Sequence, residues 1–223
     1  MSHEFRTPLK AIIGFSELID RELMGPVEPE QYKSYIQNIH QSGERMLALV
    51  NDVLDIATIE AGKRSFDVRP FNVEECLTGC MRELEVAAAW KEIDIVLDVD
   101  DQVGEMASDE CSVQQIIANL LSNAVKYTQP DGNVSISAGR SGDRIRFRIQ
   151  DTGVGIPEKE ISRLLEPFTR AISDPHVVSE GTGLGLSIVK SLVDELNGRF
   201  ELESDVGIGT NVTVIIPDES VDA

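Results

Sequence analysis

Over the first sixty residues apolar side chains return every three or four positions, and at Gly62 the pattern stops. Leu9, Ile12, Ile19 and Leu23, with Ser16 in the same register, trace the seam of a packed helix. Gly25-Pro26 and Pro29 then mark a turn. Tyr32, Ile36, Ile39, Met46, Val50, Val53 and Ala57 resume the alternation, with Gly43 in register. Two amphipathic helices with a short connection form an antiparallel hairpin. A lone hairpin has too little core to stand, so the spacing predicts a homodimer in which two copies build a four-helix bundle.

Beyond Gly62 short strand-like runs alternate with helix-like ones. Phe71–Lys91 reads as a strand end and a helix, and Ile93–Val99 as a strand. Glu110–Tyr127 reads as a helix, and Asn133–Ala138 with Arg144–Asp151 as a hairpin around Ser141-Gly142. Helices over Glu158–Leu165 and Leu184–Leu196 and strands over Arg199–Glu203 and Asn211–Ile216 close the chain. The expected fold class is α+β, an N-terminal helical hairpin followed by an α/β sandwich with helices on one sheet face. The boundaries expected are a hairpin over 1–62, a linker over 63–70, a second domain over 71–217 and a frayed acidic tail over 218–223.

The 20 basic and 39 acidic side chains give a formal net charge of −19. A surface of that sign repels nucleic acid and anionic lipid, and no basic patch relieves it. Cys76, Cys80 and Cys111 have no metal-ligand spacing; the first two read as small core residues in a reducing compartment. No apolar run reaches the ~20 residues of a bilayer span. The chain is therefore placed in the cytoplasm, without membrane contact of its own. It opens two residues before His3. That abruptness suggests a longer protein with a sensor or membrane anchor upstream.

Several clusters carry chemical potential. In Ser2-His3-Glu4-Phe5-Arg6-Thr7-Pro8-Leu9, His3 has a carboxylate beside it and shares a helix face with Thr7. Pro8 removes the donor that would bond the Glu4 carbonyl, bending the helix there. Around the helix Glu110–Tyr127, Val113, Ile117, Leu120, Leu121 and Ala124 gather on one side, and Asn119, Asn123 and Lys126 on the other. Neutral amide oxygens suit Mg²⁺ and a lysine suits phosphate; a plain solvated polar face is the alternative. Ile145, Phe147 and Ile149 share one strand face, and Asp151 has their parity, so its carboxylate aims at the core side and needs donors. An adenine amine would serve, while Gly153 and Gly155 admit a planar ligand; a turn-capping Asp is the alternative. Gly181, Thr182, Gly183, Leu184, Gly185 and Leu186 open a helix whose backbone donors suit phosphate. Phe168–Glu180 reads as a lid over that site. Gly207-Ile208-Gly209-Thr210 is a weaker signal, since hairpin turns commonly hold glycine.

In order and spacing, these stretches and Glu166-Pro167-Phe168 resemble the H, N, G1, F and G2 boxes of sensor histidine kinases. The resemblance runs from Ser2 to about Pro217. It implies a dimeric phosphoacceptor hairpin and an ATP-binding domain of the kind shared with type II topoisomerases and ninety-kilodalton heat-shock chaperones. The wording from Pro8 to Glu17 is similar to cell-cycle kinases of alpha-proteobacteria. Phe5, Leu165 and Lys10 depart from the usual pattern without removing a chemical group.

The resemblance implies these roles. His3 is the phosphoacceptor, Glu4 orients its ring and takes its proton, and Thr7 aligns water for phosphatase activity. Asn123, with Asn119 beside it, holds Mg²⁺; Lys126, Tyr127 and Phe168 line the nucleotide, ATP. Asp151 holds the adenine amine beside Gly153 and Gly155, and Gly181 to Leu186, with Thr182, Gly183, Leu184 and Gly185 between, lie along the phosphates. The implied activity is autophosphorylation on His3 and transfer to an aspartate of a response regulator. The alternative is a phosphatase-biased or pseudo-kinase module that binds ATP without efficient autophosphorylation. A pure ATPase would need an acid one turn before the metal-binding Asn, where this chain has Asn119. His40 and His176 are the competing acceptors; His40 lacks an acidic neighbour and sits mid-helix, and His176 falls in the expected lid.

Overall fold

The computed structural model describes residues 2–23, 25–26, 31–60, 64–169 and 182–222; the side chains of 2–8, 11, 31, 45, 59, 60, 221 and 222 lie outside that description. The chain divides into two compact units, Met1–Gly62 and Lys63–Ala223.

The first unit is a pair of helices, α1 (Ser2–Asp20) and α2 (Gln31–Glu60). The stop of α1 is a Schellman motif: Leu23 N–H reaches the Leu18 carbonyl and Glu22 N–H the Ile19 carbonyl. Glu22 takes the left-handed position at φ 54°, a place glycine usually holds, and its carboxylate meets Lys33 Nζ at 3.3 Å. The helices approach closely at Gly43, where an added Cβ would stand 2.9 Å from Ile13 Cγ1. Of the expected seam, Leu9, Ser16 and Gly43 are buried, whereas Ile12, Ile19, Leu23, Tyr32, Ile39, Met46 and Val53 are exposed on the single chain. A monomeric hairpin leaves most of its apolar material in water.

The second unit is an α/β sandwich. Its strands are β1 (Val68–Asn72), β2 (Asp94–Val99), β3 (Glu105–Asp109), β4 (Asn133–Ser141), β5 (Arg144–Asp151), β6 (Arg199–Asp205) and β7 (Gly209–Pro217). Its helices are α3 (Val73–Arg82), α4 (Glu85–Trp90), α5 (Glu110–Tyr127), α6 (Glu158–Leu164) and α7 (Gly185–Glu195). The main sheet runs β2-β4-β5-β7-β6, parallel only between β2 and β4, and β1 pairs with β3 in a small second sheet. Along β5 Ile145, Phe147 and Ile149 are buried, and the arginines between them lie on the more open face. The buried face meets Leu77 of α3, Ile116, Ile117 and Leu121 of α5, and Ile188 and Leu192 of α7, all at most 2% exposed. These large aliphatic side chains make the core that fixes α5 and α7 against the sheet.

Helix starts follow local chemistry. Asn72 caps α3 by accepting from Glu75 N–H, and Asp109 caps α5 by accepting from Ser112 N–H at 2.7 Å. Asp109 also accepts from Asp67 N–H at 2.8 Å, and Arg64 reaches Ser112 Oγ and Gln115 Oε1. The expected linker over 63–70 is thus corrected: from Arg64 onward the chain is stitched to α5, and β1 begins at Val68. The expected single helix before Lys91 breaks at Glu83-Leu84 into α3 and α4. β3 has no counterpart among the expected strands, because Met106 to Asp109 are all buried and show no alternation.

The frayed tail is also corrected. Asp218 is 2% exposed and accepts from Ala107 N–H at 2.8 Å, from Arg140 Nη1 at 2.6 Å and from Ser220. Burial alone would raise its pKa, but these donors outweigh it and hold the carboxyl down at about 2. A 3₁₀ turn over Glu219–Asp222 follows.

Candidate functional site

Residues 2–20 form the expected helix, and the side chains of His3, Glu4 and Thr7 lie outside the described residues. Of the competing acceptors, His40 does have an acid nearby. Its Nε2 stands 3.3 Å from Glu44 Oε1, one turn on, and its Nδ1 is 3.2 Å from Ser16 Oγ and 3.3 Å from the Ile13 carbonyl. Both ring nitrogens thus have polar neighbours within the hairpin. His176 lies outside the described residues.

In the second unit the polar side of α5 is not a solvated face: Asn119, Asn123, Lys126 and Tyr127 are half-buried. Asn119 Nδ2 donates to the Gln115 carbonyl at 2.9 Å, which fixes its amide. Its Oδ1 then points at the start of α7, 3.2 Å from where a Cβ on Gly185 would sit; Asn123 Nδ2 is 3.7 Å from the same point. Gly185 is what lets the two helices present amides to an open helix end. Among the described residues no side chain caps α7, whose N-cap is Leu184, and the first-turn donors of such a helix end suit an anion. Gly183 takes φ +73°, and Thr182 Oγ1 accepts from Leu184 N–H at 3.2 Å. The Leu184 side chain is fully buried, so it serves packing and only its backbone borders the site, whereas Leu186 is half-buried. Gly181 and residues 170–180 of the expected lid lie outside the described residues; Phe168, just before them, is 65% exposed at φ +62°.

Asp151 ends β5 as its parity predicts. Its Oδ1 accepts from Gly153 N–H at 2.8 Å and Thr210 N–H at 3.2 Å; among the described residues no donor reaches Oδ2. Burial raises its pKa, and the two backbone donors offset that only in part. A Cβ on Gly153 would fall 2.6 Å from the Tyr127 carbonyl and 2.7 Å from Asp151 Oδ1. A Cβ on Gly155, at φ +69°, would fall 2.0 Å from the Asp205 carbonyl. The loop is pressed between the end of α5 and the β6–β7 turn, with Val154 N–H on the Tyr127 carbonyl and Gly207 N–H on that of Val154. The turn over Gly207–Thr210 therefore matters more than its sequence indicated. Gly209, at φ +139°, lets the chain pass against the Asp151 carbonyl so that Thr210 can donate. Sequence reading missed this because the β5–β7 register that sets Asp151 opposite Thr210 is a long-range pairing.

At the end of α5, Lys126 Nζ lies 3.0 Å from Tyr127 Oη and 4.6 Å from its ring centroid. Lys91, which no motif marked, donates to the carbonyls of Val125, Lys126 and Thr128 at 2.9, 2.6 and 3.1 Å. Among the described residues no group of three or more His, Cys, Asp or Glu gathers as a metal cage. The donor set beside α7 is the amide pair, which fits a hard cation that takes its other oxygens from phosphate and water.

A carboxylate held between glycine turns thus lies in the same sandwich as amides that face a glycine-opened helix. Residues 108–220 match the family described as histidine kinase-, DNA gyrase B- and HSP90-like ATPase, and residues 1–62 the His Kinase A (phospho-acceptor) domain. The chain belongs to the histidine kinase family. It is 42% identical over 99% of its length to the circadian input-output histidine kinase CikA of Synechococcus elongatus, 29% of which it covers. It is similar to full-length ShkA in complex with AMPPNP, with 31% identity and a TM-score of 0.80, over 97% of this chain and 44% of that one. ThkA in complex with the response regulator protein TrrA shares the fold at 23% identity and a TM-score of 0.67, over 97% of this chain and 59% of that one. The chain spans well under half the length of the curated relatives it matches. Among the described residues no helix is long and apolar enough to cross a membrane.

Proposed function

We propose that this chain phosphorylates itself on His3 from ATP and passes the phosphoryl group to an aspartate of a response regulator. The observation that carries the reading is Asp151: one oxygen is fixed by Gly153 and Thr210 N–H and the other is left for a donor, in a site floored by glycines. An exocyclic adenine amine matches that oxygen in sign and shape. The open start of α7 and the Lys126 ammonium then suit the polyphosphate. Mg²⁺, held by Asn123 with Asn119 beside it, would neutralise phosphate charge.

The neutral His3 ring nitrogen attacks the γ-phosphorus, the bond to the β–γ bridging oxygen breaks and ADP leaves. Glu4 takes the imidazole proton. The protein's work is positioning and charge neutralisation. The hairpin pairs with a second copy, covering the apolar residues it leaves exposed, and the regulator docks on the bundle beside His3. The complex of ThkA with TrrA supports that partner class. Thr7 would align water for a phosphatase activity that hydrolyses the regulator's aspartyl phosphate to free phosphate.

The test is incubation with γ-labelled ATP and Mg²⁺, comparing the chain with His3→Gln. Acid-labile, base-stable label absent from the variant is the expected result. Label retained by His3→Gln would overturn the assignment of the acceptor. ATP binding without label would favour a phosphatase-biased or pseudo-kinase module. The rate should fall as pH drops through the ordinary imidazole range, about 6.5, because the protonated ring has no lone pair to offer.

A further inference from the structure

A helix leaves its last four carbonyls without partners of its own, and a lysine in the last turn can reach them. In α5 that lysine is Lys126, and it does not do so. The Ala124 carbonyl is taken by Thr128 N–H and Oγ1, that of Tyr127 by Val154 N–H, and those of Val125 and Lys126 by Lys91 Nζ. Lys91 reaches the Thr128 carbonyl too, and its own carbonyl accepts from Asp131 N–H at 3.1 Å, so it is held from both ends. Lys126 instead turns its ammonium onto Tyr127, at 3.0 Å from the hydroxyl and 4.6 Å from the ring centroid.

We infer that Lys91 is a positioning residue: by occupying the carbonyl end of α5 with a like charge, it keeps the Lys126 ammonium off its own helix and on Tyr127, available to the triphosphate. This rests on the reading of Lys126 as a nucleotide residue. Burial, and after it the Lys126 ammonium, pull Lys91 below the ordinary lysine pKa, in keeping with two positive charges held close. Without Lys91, the orphaned carbonyls would compete with Tyr127 for the Lys126 ammonium.

The test measures dissociation constants for ATP and for adenosine in Lys91→Met, Lys91→Arg, Lys126→Met and the double variant Lys91→Met/Lys126→Met, each checked for folding by circular dichroism. Lys91→Met should weaken ATP at least fivefold and leave adenosine within twofold, because only the phosphates feel Lys126. Lys91→Arg should stay within twofold of the parent for both. In the Lys126→Met background Lys91→Met should have no further effect. Equal weakening of ATP and adenosine, or effects that simply multiply in the double variant, would show a structural role and overturn the inference, as would an unchanged ATP constant. In the nucleotide-free chain, the Lys126 ε-methylene proton resonances, which sense the Tyr127 side chain, should shift in Lys91→Met. That reading does not need ATP, so it separates failure of the positioning from failure of the nucleotide site: a chain that binds no ATP sinks the latter, and an unmoved resonance sinks the former. If Lys91→Met does not fold, Lys91→Gln, which drops the charge and keeps an amide donor, is measured in its place.

Discussion

Asp151 is held in a place that suits binding better than stability. Burial disfavours its charge, and two backbone donors on one oxygen compensate only in part. Asp151→Asn keeps an acceptor for Gly153 and Thr210 N–H and removes the buried charge. The melting temperature should stay level or rise, while affinity for ATP falls tenfold or more; calorimetry of both quantities checks it. The neighbouring glycines answer to geometry. Gly155→Ala forces a methyl toward the Asp205 carbonyl at a positive φ, and should cost about 2 kcal/mol or more of stability, read by denaturant unfolding. Asp151 was legible in the sequence because strand side chains alternate by backbone geometry alone, so Ile145, Phe147 and Ile149 told where it would point. Its Thr210 donor was not legible, since it depends on which strand pairs with β5.

Among the elements, α5 was legible to the residue: the observed helix has the expected bounds, Glu110–Tyr127, and its apolar stripe is a local signal. The stop of α1 was not, because Glu22 fills a left-handed position that sequence assigns to glycine. β3 escaped for want of alternation, and the last residues because their composition resembles a free tail. Asp218 shows what such a tail can hold. Its folded pKa of about 2 lies below the ordinary carboxylate value, so the stability it adds is complete above about pH 4 and is lost as pH falls toward about 2. On the order of 2 kcal/mol should disappear across that window, as a tenfold change in an acid's ionisation constant is worth about 1.4 kcal/mol. Asp218→Asn should flatten the acid-unfolding curve there and lower stability at neutral pH.

At the scale of the whole molecule, the two units are held by different means. The sandwich buries a complete core, whereas the hairpin leaves Phe15, Leu23 and Met46 more than half exposed on one chain. If a second copy covers them, calorimetry should show two transitions. The hairpin transition should rise with protein concentration and the sandwich transition should not, while ATP should raise the latter. The sandwich also begins and ends at one place. Asp67 N–H is bonded to Asp109 and β1 pairs along β3, while Asp218 is bonded to Ala107 N–H on the same strand. Tension applied between residues 64 and 222 would therefore run through β3 as a short tether. Arg140 of β4, which also holds Asp218, would share that load, and this corner would part before Asp151 and its glycine turns felt the pull.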